Sequence, residues 1–181
     1  HFYSLHIMKD EKKLPVAGQM YHTNLWVELA QRDFWPIGFS KKEIEEICWY
    51  IKRHHRPGEL LDGKPENMPK KLRKMISEVG YKRVLNLIDI TIADRLGMYN
   101  PVQPPAIDGL KEMKKLVRKL HKEEGRFTKS ELAIDGDILM KEFNLKPGPQ
   151  VGKMINSAFE WVLEDVKKKN HKKKILSYLK K

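Results

Sequence analysis

The sequence predicts an all-α fold of two helical modules, and three observations carry that expectation. Apolar residues recur at three- and four-residue spacing in one segment after another, no stretch keeps the strict alternation of a half-buried strand, and one proline-rich stretch, residues 100–106 (NPVQPPA), separates two such sets. The modules expected are a helical body over residues 1–99 and a basic helical tail over residues 107–181, joined by that linker.

Each element has a local cause. Ser40 followed by Glu43 is a capping box, and Ile44, Ile47, Cys48 and Ile51 recur at helical spacing, so a helix is expected over residues 40–55 with Pro57-Gly58 as its stop. Residues 60–69 read as a loop, and Pro69 suits the first turn of a helix that carries Leu72, Met75 and Ile76 inward. After Gly80, Val84, Leu85, Ile88, Ile92 and Leu96 define a longer helix, apolar enough over 84–92 to suggest burial on more than one side. Beyond the linker, Asp108 opens a helix whose stripe is Leu110, Met113, Leu116, Val117 and Leu120, with Gly125 as its stop. Gly148-Pro149 opens another with Val151, Ile155, Phe159, Val162 and Val166 inward, and residues 172–179 form a short last helix.

The chain has 181 residues, 40% of them hydrophobic, enough for one domain or two small ones. Its formal charge of +12 favours a polyanionic partner or surface. Residues 1–106 hold 17 Lys and Arg against 13 Asp and Glu, whereas residues 107–181 hold 19 against 11, so the excess lies mainly in the tail. The single cysteine, Cys48, reads as a small core residue in a reducing, cytoplasmic compartment, and no apolar run approaches the ~20 residues that span a bilayer.

Gly136, Asp137, Ile138 and Leu139, then Lys146-Pro147-Gly148-Pro149, then Val151-Gly152, and Asn170 near the end of the helical stretch occur in an order and spacing that carries a resemblance. The segment resembles the C-terminal region of the class II tRNA nucleotidyltransferase (CCA-adding enzyme) and poly(A) polymerase family. Residues 21–98 are similar to the same family's helical region built on the His-Asp phosphohydrolase fold, through YHTNLWVELAQ, IKRHHRP and IADRLG. That likeness makes His6, His22, His54 and Asp94 candidate metal ligands. Ile7 stands where the family's His-Asp doublet needs its aspartate, and without that carboxylate the body is expected to be a degenerate HD-like domain with no metal centre. Helix-dipole pairing for His54 and a paired core position for Asp94 are the ordinary alternatives.

The resemblance implies that catalysis belongs to a head domain that uses Mg2+ and ATP or CTP through an Asp-x-Asp pair, and no such pair on a strand occurs here. Asp135-Gly136-Asp137 has the spacing but sits at a turn before a helix, where a cap is expected. No cofactor is therefore expected in this chain. The expected role is to bind tRNA or another structured RNA and position it for a nucleotidyltransferase head, a separate domain or subunit; a degenerate metal-dependent phosphohydrolase using His22, His54 and Asp94 is the alternative.

The residues expected to touch RNA are cations on the helix after the linker, Lys111, Lys114, Lys115, Arg118, Lys119 and Lys122, which its apolar stripe leaves outside. Lys146, Gly148 and Lys153 join them, because a helix opening at Gly148 presents backbone N–H groups to an anion. A solvated basic face and a plain helix-helix turn are the competing readings of these two features. The lysine cluster at residues 167–174 is the less specific feature.

Overall fold

The computed structural model describes residues 17–62, 64–97 and 107–181, the side chains of 17–22 excepted, and these residues contain helices and no strand. The expected linker at 100–106 lies outside the described residues. The helices are α1 (Ala17–Phe34), α2 (Lys41–Ile51), α3 (Arg56–Leu61), α4 (Met68–Val79), α5 (Tyr81–Gly97), α6 (Asp108–Glu124), α7 (Gly136–Phe143), α8 (Pro149–Val162), α9 (Val166–Lys169) and α10 (Lys172–Leu179), with 3-10 turns at Pro65–Asn67 and Lys129–Glu131. They fall into two compact units: one of His1–Glu59 with Leu87–Ile107, the other of Leu60–Asn86 with Asp108–Lys181.

In the first unit α1 and α2 close on Val27, Ala30, Ile44 and Cys48, with Phe34, Ile47 and Ile51 packed around them. The capping box is present in both halves: Ser40 Oγ accepts the Glu43 N–H at 3.3 Å, and the Glu43 carboxylate accepts the Ser40 N–H at 2.8 Å. The helix expected to reach residue 55 ends at Ile51, and Pro57-Gly58 does not stop it but lies inside the short α3. Proline needs no N–H partner in a first turn. Gly58 has its own reason to be there, since a Cβ would stand 2.9 Å from the Arg95 guanidinium.

Helix α5 corrects a second expectation. Val84, Leu87, Ile88 and Thr91 are its buried set, whereas Leu96 is 48% and Ile90 37% exposed, so it buries one face rather than several. Thr91 satisfies its hydroxyl within that face by donating to the His54 carbonyl at 2.6 Å, with the Leu87 carbonyl at 2.8 Å.

The second unit is built on α4, α6, α7, α8 and α10. Leu72, Met75 and Ile76 of α4 and Leu110, Met113, Val117 and Leu120 of α6 are buried as the periodicity predicts, and Gly125 ends α6 at φ +70°. Around Phe127, Leu139, Val151, Ala158, Phe159, Val162 and Ile175 a continuous core joins α7, α8 and α10. Val166, expected in the inward set of α8, instead belongs to α9, because Asp165 caps a new helix by accepting the Lys168 N–H at 3.1 Å.

One arginine ties α4 to this core. Arg73 makes a bidentate pair with Glu124, Nε to Oε2 at 2.7 Å and Nη2 to Oε1 at 2.9 Å, while Nη1 donates to the carbonyls of Leu163 at 3.1 Å and Glu164 at 2.9 Å. A planar fork of donors is the one side chain suited to both tasks. Lys70 pairs with Glu164 at 3.1 Å and Lys74 with Glu160 on either side of it. Residues 60–86 thus pack with the segment that follows residue 107.

Candidate nucleic-acid interface

The division into units sorts the charge completely. The unit of residues 60–86 and 108–181 holds 26 Lys and Arg against 14 Asp and Glu, net +12, whereas residues 1–59 and 87–107 hold 10 against 10. The whole formal excess of the chain lies on one unit.

Its most regular cationic feature is the outer face of α6. Lys111, Lys115, Arg118 and Lys122 stand at i, i+4, i+7 and i+11, one face of a helix, and cover about 16 Å at 1.5 Å per residue. All four are exposed, and the opposite face carries Leu110, Met113, Val117 and Leu120. The core therefore fixes the direction in which the stripe points. Lys111 pairs with Asp108 at 3.2 Å and Lys115 with Glu112 at 2.7 Å, both exposed pairs that polyanion binding can replace at little cost. Arg118 and Lys122, with exposed Lys119 beside them, have no carboxylate partner among the described residues, while Lys114 is half-buried at the stripe's edge.

Lys146, Gly148 and Lys153 lie on a different element, the turn between α7 and α8 and the first turns of α8. Gly148 is the N-cap of α8 without a side-chain cap, and Lys146 and Lys153 are exposed. Beside Lys153 an open groove of about 450 Å³ runs between α8 and α10. No local signal in the chain announces it, because it joins residues about 25 positions apart.

Other cations are structural. Arg73, Lys70 and Lys74 face carboxylates within the fold, and Arg126 donates to the Ser77 carbonyl at 3.1 and 2.7 Å. In the 167–174 cluster, Lys169 pairs with Glu164 and lies 4.6 Å from the centre of the Trp161 ring, Lys168 pairs with Asp165 at 3.2 Å, and Lys174 donates to the Lys168 carbonyl at 2.8 Å. Lys167 and Lys173 are exposed.

Two motif residues act as structural pins. Asn170 accepts the Ala133 N–H at 2.8 Å and donates to the Glu131 carbonyl at 2.8 Å, fixing the connection before α7. Asp135 accepts the Ile138 N–H at 2.8 Å, the cap expected of it.

Of the four residues first considered as metal ligands, His6 lies outside the described residues, as does the side chain of His22. His54 Nδ1 stands 2.6 Å from the Ile51 carbonyl, and its ring lies 3.7 Å from that of His55. Asp94 is half-buried on α5. Among the described residues no group of three or more His, Cys, Asp or Glu is arranged to hold a metal ion, and no helix is long and apolar enough to cross a membrane.

A helical unit that carries all the excess cations and aims a row of them outward is electrostatically complementary to a polyanion. Residues 107–179 match the family described as "tRNA nucleotidyltransferase domain 2, putative", so this segment is similar to a C-terminal region of a tRNA nucleotidyltransferase. No curated protein and no solved structure matches the chain.

Proposed function

We propose that this chain binds tRNA, or a similarly structured RNA, through the outer face of α6 and holds it while a nucleotidyltransferase head extends the 3′ end. The observation that carries the reading is the placement of the entire +12 excess on the unit that contains the family match, with four cations in register on one helix. Phosphate contacts of this kind fix register and orientation without reading bases, which suits a duplex arm recognised by shape. Lys146 and Lys153 add cations at the start of α8, and Gly148 adds backbone N–H groups there. The chemistry itself, with Mg2+ and ATP or CTP, belongs to the head, because the only Asp-x-Asp here spends its first carboxylate on a helix cap.

Binding of tRNA across a salt series tests the reading. Log K should fall with log salt by about 0.7 to 0.9 per phosphate contact, and replacing Lys115, Arg118 and Lys119 together by Ala should reduce both affinity and slope. If that triple variant kept wild-type affinity and slope while replacement of Lys172, Lys173 and Lys174 abolished both, the lysine-rich end would be the binding surface.

A further inference from the structure

The groove between α8 and α10 is unlike the α6 stripe in chemistry. Gln150, Lys153, Met154 and Ser157, at i, i+3, i+4 and i+7, form its α8 wall, and Tyr178 faces them from α10. The Tyr178 ring is stacked on Trp161, centres 4.7 Å apart and planes 9° from parallel, and Lys169 lies against the Trp161 ring in turn. Glu164 holds Lys169 in that position. Tyr178 is thus a braced aromatic plate at the edge of an open space of about 450 Å³, a volume in the range of small-ligand sites. No Asp or Glu lines this space, whereas Lys153 and Lys181 do, together with a neutral amide and two hydroxyls.

We propose that this groove receives one unpaired nucleotide of a bound RNA, its base stacked on Tyr178 and Met154, its phosphate met by Lys153. The occupant rests on the RNA-binding reading above, and the groove adds to it a contact that a fully paired helix cannot make. An aromatic plate accepts any base face, Gln150 and the Ser157 hydroxyl can donate to or accept from a base edge, and the Lys153 ammonium beside them suits a phosphate. The Tyr178 hydroxyl stands 3.4 Å from Ser157 Oγ, which keeps both polar atoms at the same side of the groove.

Two hairpin RNAs identical except for a single-nucleotide bulge provide the test, measured by fluorescence anisotropy with the full chain. Wild type should bind the bulged hairpin roughly tenfold tighter than the paired one, the range expected for one base-aromatic stack. Tyr178→Ala and Lys153→Ala should bring that ratio toward one, Tyr178→Phe should keep it, and far-UV circular dichroism should report an unchanged helical content. The triple replacement of Lys115, Arg118 and Lys119 should weaken both complexes and leave the ratio standing. Equal wild-type affinity for the two hairpins, or a ratio that survives Tyr178→Ala, overturns the groove assignment while leaving the α6 reading intact. Failure of wild type to bind either hairpin overturns both.

Discussion

Replacing Arg73 by Met should be the most damaging single change in the second unit. The Arg73 and Glu124 side chains are only 13% and 8% exposed, so removing the guanidinium leaves a carboxylate buried without its partner. That carboxylate lies at the last residue of α6, where the helix dipole already disfavours negative charge. Two carbonyls just beyond α8, those of Leu163 and Glu164, lose their donor at the same time. A buried pair broken on one side costs about 3 to 5 kcal/mol, whereas replacing both partners by apolar side chains of similar size costs far less. Arg73→Met with Glu124→Leu should therefore recover much of the loss, and the double-mutant cycle should show strong coupling. Trp161 is the sole tryptophan of its unit, so urea denaturation followed by its emission, with Trp26, Trp35 and Trp49 changed to Phe, reads this unit alone. A loss below about 1 kcal/mol for Arg73→Met, or a double variant as unstable as the two single losses added, would refute the clamp.

The remaining predictions concern the pins and the acid response. Asn170→Ala removes both bonds to residues 131 and 133 and should lower stability by about 1 to 3 kcal/mol in the same denaturation assay. Gly125→Ala meets no neighbour within 4 Å but must hold φ at +70°, a backbone cost of about 1 to 2 kcal/mol that calorimetry would detect. The hydrogen bond from Lys169, then that from Lys70, holds the Glu164 carboxyl below its usual range, and the Lys168 backbone N–H, followed by its side chain, does the same for Asp165. Groups depressed in this way stabilise the fold above the ordinary carboxylate pKa and lose that contribution as pH falls through their folded values. Denaturation midpoints measured from pH 6 down to pH 2 should therefore fall less steeply for Glu164→Gln with Asp165→Asn than for wild type.

Local signals in the sequence carried much of the fold. The Ser40 box, Pro69 in the first turn of α4, the Gly125 stop, the Asp135 cap and the last helix each depend on residues within four positions of one another, and each is present in the structure. The misreadings arise where tertiary contact decides. Helix α5 is apolar on several sides, so periodicity alone does not choose between Leu85, Ile92 and Leu96 and the face that is buried, which includes a threonine satisfied by the distant His54 carbonyl. Pro57 and Gly58 look like a stop until the guanidinium of Arg95 is placed against Gly58. The cations of α6 were legible because their own helix's core stripe fixes them. Arg73, Lys70 and Lys74 look equally cationic, yet their partners lie 51 to 94 residues away and turn them into structural groups.

That use of cations has an electrostatic consequence for the proposed RNA binding. Among the eleven acids of residues 107–181, Asp135 and Glu131 bond backbone N–H groups, Glu142 pairs with Lys180, and Glu124, Glu160 and Glu164 face α4. Asp165 pairs with Lys168, and Asp108 and Glu112 with lysines of α6 itself, leaving Glu123 and Asp137 with neither a cation nor a backbone N–H bonded to them among the described residues. An ion pair's opposite charges largely cancel at a distance, whereas the exposed Arg118, Lys119 and Lys122 act uncancelled within a Debye length of roughly 8 to 10 Å. Most of the anions are thus bonded within the unit, while Arg118, Lys119 and Lys122 have no carboxylate partner among the described residues. In the proposed RNA complex helix α4 has a part although it carries none of the contacts: by neutralising Glu124, Glu160 and Glu164 it would keep their charge from opposing an approaching phosphate backbone.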